Sequence, residues 1–91
     1  MPNIDPDTIS KARQDLAERL DVSESAITTV GVKQADFPDA SLGAPVEDEM
    51  SAQVITPGWR IHLQAGGETY EYRATERQLR LVNFKGRNYR I

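Results

Sequence analysis

The pair Gly66-Gly67 constrains this chain more than any other feature of its sequence. Ahead of it, "WRIHLQA" alternates Trp59, Ile61, Leu63 and Ala65 with Arg60, His62 and Gln64. Behind it, "ETYEYRA" alternates in the same way, with Tyr70, Tyr72 and Ala74 as its apolar set. A period of two marks a half-buried strand, and two glycines supply the positive φ angles of a two-residue hairpin turn. Counting outward from the turn sets Leu63 opposite Tyr70, Ile61 opposite Tyr72 and Trp59 opposite Ala74, all on one face. The other face pairs Gln64 with Thr69, His62 with Glu71 and Arg60 with Arg73. A slip of one residue would mix the two faces, so turn and pattern agree on a single register.

The hairpin extends downstream. "TERQ" (75–78) is a second turn, "LRLVNF" a last strand, and "KGRNYRI" a basic tail. If the turn closes over four residues, Ala74 faces Leu79 and Arg73 faces Arg80. Arg60, Arg73 and Arg80 then form a row across three strands. Like charges directly opposite one another destabilise a sheet, so the row calls for a counterpart or for screening by solvent. Glu47, Asp48 and Glu49, aided by Glu71, offer an internal counterpart, and this or solvation is the expected outcome. The alternative is an acidic partner or a phosphate, for which the planar arginine fork is suited. Arg60, Arg73, Arg80, Glu47, Asp48 and Glu49 are the candidate binding residues.

Upstream of the hairpin, Asp5 as N-cap, Pro6 at the first helical position and Asp7 in the first turn signal a helix start. Ile9, Ala12, Leu16 and Leu20 follow as one apolar stripe. The helix should end near Leu20, with Asp21 left-handed, and a turn follows at "VSES". A β-branched strand runs from about Ile27 to Ala35, with Gly31 marking a bulge. Strand character resumes at "SAQVIT" from residue 51, and Thr56-Pro57-Gly58-Trp59 has the composition of a type II turn. The expectation is a single α+β domain over residues 1–91: an N-terminal helix packed on an antiparallel sheet of about four or five strands.

Between the first two strands lies "DFPDASLGAPVEDEM", residues 36–50, with no helical or strand period. Long irregular loops in a small domain are uncommon and tend to be functional or disordered. With 91 residues, 38% hydrophobic and 27% charged, the chain otherwise has an ordinary globular composition. It has no cysteine, which removes disulfides, thiol nucleophiles and cysteine-ligated metals. "MPNIDPDTIS" lacks a basic and apolar leader, and no apolar run approaches the ~20 residues of a membrane span. A cytoplasmic protein without membrane attachment is expected. Charge is uneven: residues 1–58 carry four basic against eleven acidic groups, and residues 59–91 seven against three. The basic half interleaves arginines with Tyr72, Phe84 and Tyr89. The hairpin tyrosines fall on the core face, however, and the whole chain has a pI near 5.0, which disfavours nucleic acid.

Chemistry finds little footing. The one histidine, His62, lies mid-strand beside Glu71, and nothing in the spacing joins it to Ser41 and a loop carboxylate in a Ser–His–acid arrangement. The loop carboxylates lack the ordered spacing of a calcium loop, and Pro38 and Pro45 restrict how the loop could wrap an ion. No catalytic residue, metal ligand or cofactor is therefore assigned.

"FPDASLGAP", "TPGWRIHLQAGGETYEYRA" and the helix end "DLAERLDVSESAI" together resemble a family of small bacterial domains of uncharacterised function. Its pattern runs Trp-Pro-Asp-x-Ser-Leu-Gly-Cys-Pro, then Thr-Pro-Gly-Tyr-Arg-Ile, then Tyr-x-Tyr-His. The resemblance spans residues 12–74. Pro38, Asp39, Ser41, Leu42, Gly43 and Pro45 match the first motif, Thr56, Pro57, Gly58, Arg60 and Ile61 the second, and Tyr70 and Tyr72 the third. Phe37 and Trp59 replace other aromatics, Ala44 stands where the pattern commonly has cysteine, and Arg73 where it has histidine. The resemblance implies an ordered loop, with Phe37 and Leu42 as inward anchors, and implies no activity.

The functional expectation is a small non-enzymatic protein- or peptide-binding module acting through loop 36–50 or the polar face of the sheet, as a monomer or weak dimer. A constrained exposed loop also suits a protease inhibitor. A metal-dependent hydrolytic domain would need His62 close to the loop carboxylates.

Overall fold

The structure is a computed structural model and describes residues 4–91. Helix α1 spans Pro6–Leu20, a single 3-10 turn follows at Glu24–Ala26, and five strands complete the chain: β1 Thr28–Phe37, β2 Thr56–Ala65, β3 Glu68–Ala74, β4 Leu79–Phe84 and β5 Arg87–Arg90. The strands lie in chain order in one antiparallel sheet. The fold is α+β, with the helix on one face.

The helix begins as its sequence dictates. The Asp5 side chain accepts a hydrogen bond from the Asp7 N–H at 2.9 Å, and Pro6 occupies the position where a missing N–H is harmless. It ends with Asp21 at φ 55°, from which the chain turns back so that the Val22 N–H reaches the Ala17 carbonyl. Ala12, Leu16 and Ala17 are buried against Ile61, Leu63, Tyr72, Leu81 and Phe84, with Ile9, Leu20 and Tyr70 partly buried around them. The Tyr72 hydroxyl crosses this core to donate to Asp15 at 2.7 Å, and Arg19 holds the same carboxylate from one turn further on. Burial, reinforced by that carboxylate, pushes the Tyr72 phenol far up.

The hairpin register is the one the glycines impose: Leu63 opposite Tyr70, Ile61 opposite Tyr72 and Trp59 opposite Ala74. "TERQ" closes with the Thr75 N–H on the Gln78 carbonyl, which sets Arg73 opposite Arg80. The expected bulge near Gly31 is present. Val30 is the extra residue, as Thr29 pairs with Leu63 and Gly31 with His62.

Three local expectations are corrected. Residues 51–55 are not a strand: pairing starts only at Thr56, because the Ala52 carbonyl is turned to the Ala40 and Val54 N–H groups. Thr56-Pro57-Gly58-Trp59 is no turn but the start of β2. Pro57 is tolerated there because β3 ends opposite Trp59, leaving a partner on one side only. Gly58 serves close approach: a Cβ would lie 2.2 Å from the Ala74 carbonyl oxygen and 3.2 Å from the Phe37 ring. Finally, the basic tail contains β5. Lys85 and Gly86, at φ 52° and 84°, make a two-residue turn of mirror-image type that sends Arg87–Arg90 back along β4.

Candidate functional site

The loop between β1 and β2 covers the part of the sheet face turned away from the helix that carries Arg73 and Arg80. Phe37, the last residue of β1, is buried on that face and starts a second, smaller core with Leu42 and Ala44. Asp39 organises the first turn. Its Oδ1 accepts from the Ser41 N–H, the Ser41 hydroxyl and the Gly43 N–H, at 2.9, 2.6 and 3.1 Å. The Ser41 hydroxyl above all, then the Gly43 amide, holds this carboxyl below its usual range. Leu42 and Gly43 are both left-handed, at φ 61° and 65°, which drives the Leu42 side chain inward. The loop is thus ordered by its own turns, with Phe37 and Leu42 as anchors.

The strands then bolt the loop down. Arg73 Nη1 donates to the Leu42 carbonyl at 2.8 Å, Gln78 to the Ala40 carbonyl at 2.8 Å, and Asn88 to the Pro45 carbonyl at 2.9 Å. The central fastening is Arg80, which is 2% exposed. Its Nη1 and Nη2 grip the two Glu49 oxygens, each at 2.6 Å. Nη1 also reaches the Ala44 carbonyl, and Nε donates to Gln78. Bidentate pairs of this kind are both strong and directional. Hydrogen bonding from Arg80 pulls the Glu49 carboxyl down to about 2, against the opposing effect of its burial.

The candidate residues therefore divide. Arg80 and Glu49 are joined, with Arg90 at 3.8 Å from Glu49 as a third member. Arg73 is paired with Glu71 at 2.6 Å, and His62 sits 3.2 Å from the other oxygen of Glu71. Burial works against the charged form of Glu71, but Arg73 and then His62 outweigh it, and the carboxyl lies below its usual range. Phe37 receives the Arg73 and Arg60 guanidinium groups on its ring, at 5.5 and 5.7 Å from the centroid. Arg60, Glu47 and Asp48 are exposed, and among the described residues none of the three has an ion-pair partner. Of the row, Arg73 and Arg80 are internal fastenings and Arg60 is free of ion pairs among the described residues.

What sequence reasoning missed is the apolar part of the loop's outer side, at Met50, Val54 and Ile55. Val46 to Glu49 forms a turn, with the Val46 N–H on Glu49 Oε1 and Asp48 left-handed at φ 63°. Beyond it the chain presents Met50, 96% exposed, then Val54 at 53% and Ile55 at 71%. Ile55 leads into an open groove of about 490 Å³ lined by Pro57, Trp59, Thr75, Glu76 and Arg77. The available signal was that Val54-Ile55 is apolar with no alternating partner in the sequence. Among the described residues, no group of three or more acidic or histidine side chains could hold a metal ion, and no helix is long and apolar enough to cross a membrane.

Helix, five-stranded meander and a loop clamped over part of the second face define a small α+β domain. The chain belongs to the family described as a domain of unknown function (DUF8738), whose model matches residues 9–82. That span contains the whole region, 12–74, over which the sequence resembles a family of uncharacterised small domains. No curated protein and no solved structure matches the chain.

Proposed function

We propose that this domain is a non-enzymatic protein- or peptide-binding module that meets its partner with the outer side of the loop, at Glu47, Asp48, Met50, Val54 and Ile55. One observation carries the reading: three large apolar side chains stand in solvent on a segment whose neighbours are firmly fastened. Prior ordering of the loop spares the entropy that binding would otherwise spend. Methionine adds a soft, adaptable contact. Glu47 and Asp48 at the rim favour a partner whose apolar patch is flanked by basic residues. With no cysteine the fold has no need of an oxidising compartment, and the reading places it in the cytoplasm as a monomer or weak dimer. Protease inhibition is the narrower version, with Met50 as the side chain offered to the enzyme.

A photo-crosslinking residue at position 50 tests this, with the same residue at position 14, on the exposed side of the helix, as control. The expected result is one adduct specific to position 50, competed by the wild-type domain and not by the Met50→Asp/Ile55→Asp double variant. Equal competition by that folded variant would overturn the reading.

A further inference from the structure

The basic row is longer than three residues. Strand register sets Lys33 opposite Arg60, Arg60 opposite Arg73, Arg73 opposite Arg80 and Arg80 opposite Arg90. Residues directly opposite in an antiparallel pair share a face, so five cations, one from each strand, form a ladder across the sheet. Its two ends are treated differently. Glu49 answers Arg80 and Arg90, and Glu71 answers Arg73. At the β1 end, no carboxylate among the described residues comes within ion-pair distance of Lys33 or Arg60, and both side chains are exposed.

The surroundings of that end offer hydrogen-bond donors and no free carboxylate. His62 lies next along β2 on the same face, and the one carboxylate near it, Glu71, is already shared with Arg73. Gln64 follows, opposite Thr28 and Thr69. Gly31, opposite His62, leaves the surface open: a Cβ there would meet nothing within 4 Å. Lys33 facing Arg60 also weakens the β1–β2 pairing, since like charges opposite one another are unfavourable.

We propose that Lys33 and Arg60, with Gln64 and the opening over Gly31, form a docking surface for an acidic segment of a partner polypeptide. Its carboxylates complete the ladder at this end as Glu49 and Glu71 complete it at the other. The surface is open and the two cations are carried directly opposite one another on neighbouring strands, whose backbones lie about 5 Å apart, which suits successive carboxylates rather than one enclosed dianion. It is separate from the apolar side of the loop and fails or stands independently of it.

The test follows the Lys33 and Arg60 side-chain NMR signals while a short glutamate-rich peptide, its glutamine counterpart, or inorganic phosphate is added to the full chain. The glutamate peptide should shift both signals, the glutamine peptide neither, and the affinity should fall about tenfold between roughly 0.05 and 0.5 M salt. Lys33→Glu should weaken peptide binding at least about tenfold, the size expected on reversing one charge of a complementary pair. It should also raise the melting temperature, because it places a carboxylate opposite Arg60. The Lys33→Gln/Arg60→Gln variant, its fold checked by amide dispersion, should lose binding without gaining an internal pair. Four results would overturn the proposal: binding retained in Lys33→Glu; equal shifts from phosphate and peptide at equal concentration; binding lost in Met50→Asp/Ile55→Asp; or self-association abolished by Glu47→Gln/Asp48→Gln, which would make a second copy the occupant.

Discussion

Glu49→Gln is the most informative single change to the loop. The substitution keeps the shape of the side chain, removes its charge and turns an NH2 group towards the Arg80 guanidinium. Arg80 is 2% exposed and donates to both Glu49 oxygens at 2.6 Å, so the change leaves a buried cation with carbonyl and amide partners only. Breaking a buried pair from one side costs about 3–5 kcal/mol. A second route gives a similar size: a carboxyl lowered from 4.5 to about 2 stands for about 3 kcal/mol of differential interaction. Glu49 retains 14% side-chain exposure, which trims both figures to about 2–4 kcal/mol. Because the folded-state pKa is depressed, this contribution is complete above pH 4.5 and is lost as pH falls towards 2. Urea unfolding at a series of pH values reads it directly. Wild type and variant should differ by about 3 kcal/mol at pH 7 and converge near pH 2. A difference below about 1 kcal/mol at neutral pH, or one that does not narrow in acid, would refute the clamp.

Further outcomes follow from the packing. Leu63→Ala, at a fully buried position under the helix, should cost about 2–5 kcal/mol by denaturant unfolding. Gly58→Ala should cost about 3 kcal/mol or more, because the added methyl meets backbone rather than a movable side chain. Amide exchange should rise at Trp59 and Ala74 in that variant. Tyr72→Phe removes the hydroxyl from Asp15 but leaves Arg19 on that carboxylate, and should cost about 1–2 kcal/mol in thermal unfolding.

The central hairpin was legible because two independent constraints coincide there. The Gly66-Gly67 turn fixes which residues face each other, and the pleat fixes which share a face. The helix start was legible for a similar reason, since Asp5 and Pro6 act through their own backbone. Pro57-Gly58 misled because its composition is that of a turn, whereas Gly58 is needed for the close passage of the Ala74 carbonyl, a neighbour sixteen residues away. "RNYR" was hidden as a strand because its short turn uses Lys85 at positive φ, a residue with no special preference for it. Within the candidate site, the arginine row and an acidic counterpart were legible from register and charge. Which acid meets which arginine was not, because it depends on the path of a loop steered by Asp39, Leu42 and Asn88. Nor could the sequence reveal that Arg80 is buried, since its strand position is that of a solvent-facing residue until the loop closes over it.

The bulge at Val30 bears on how these molecules behave when crowded together. β1 is ten residues long and flanks the sheet, so its outer rim of backbone groups is a template on which a strand of another molecule could add. An extra residue interrupts the regular spacing of that rim after Thr29 and bends the strand, leaving only Gly31 to Phe37 as an unbroken run. The exposed Lys33 stands within that run and would carry its charge into any such assembly. Deleting Val30 would restore a straight rim along the whole strand, and such a chain is expected to form sheet-rich aggregates at concentrations where the parent stays clear.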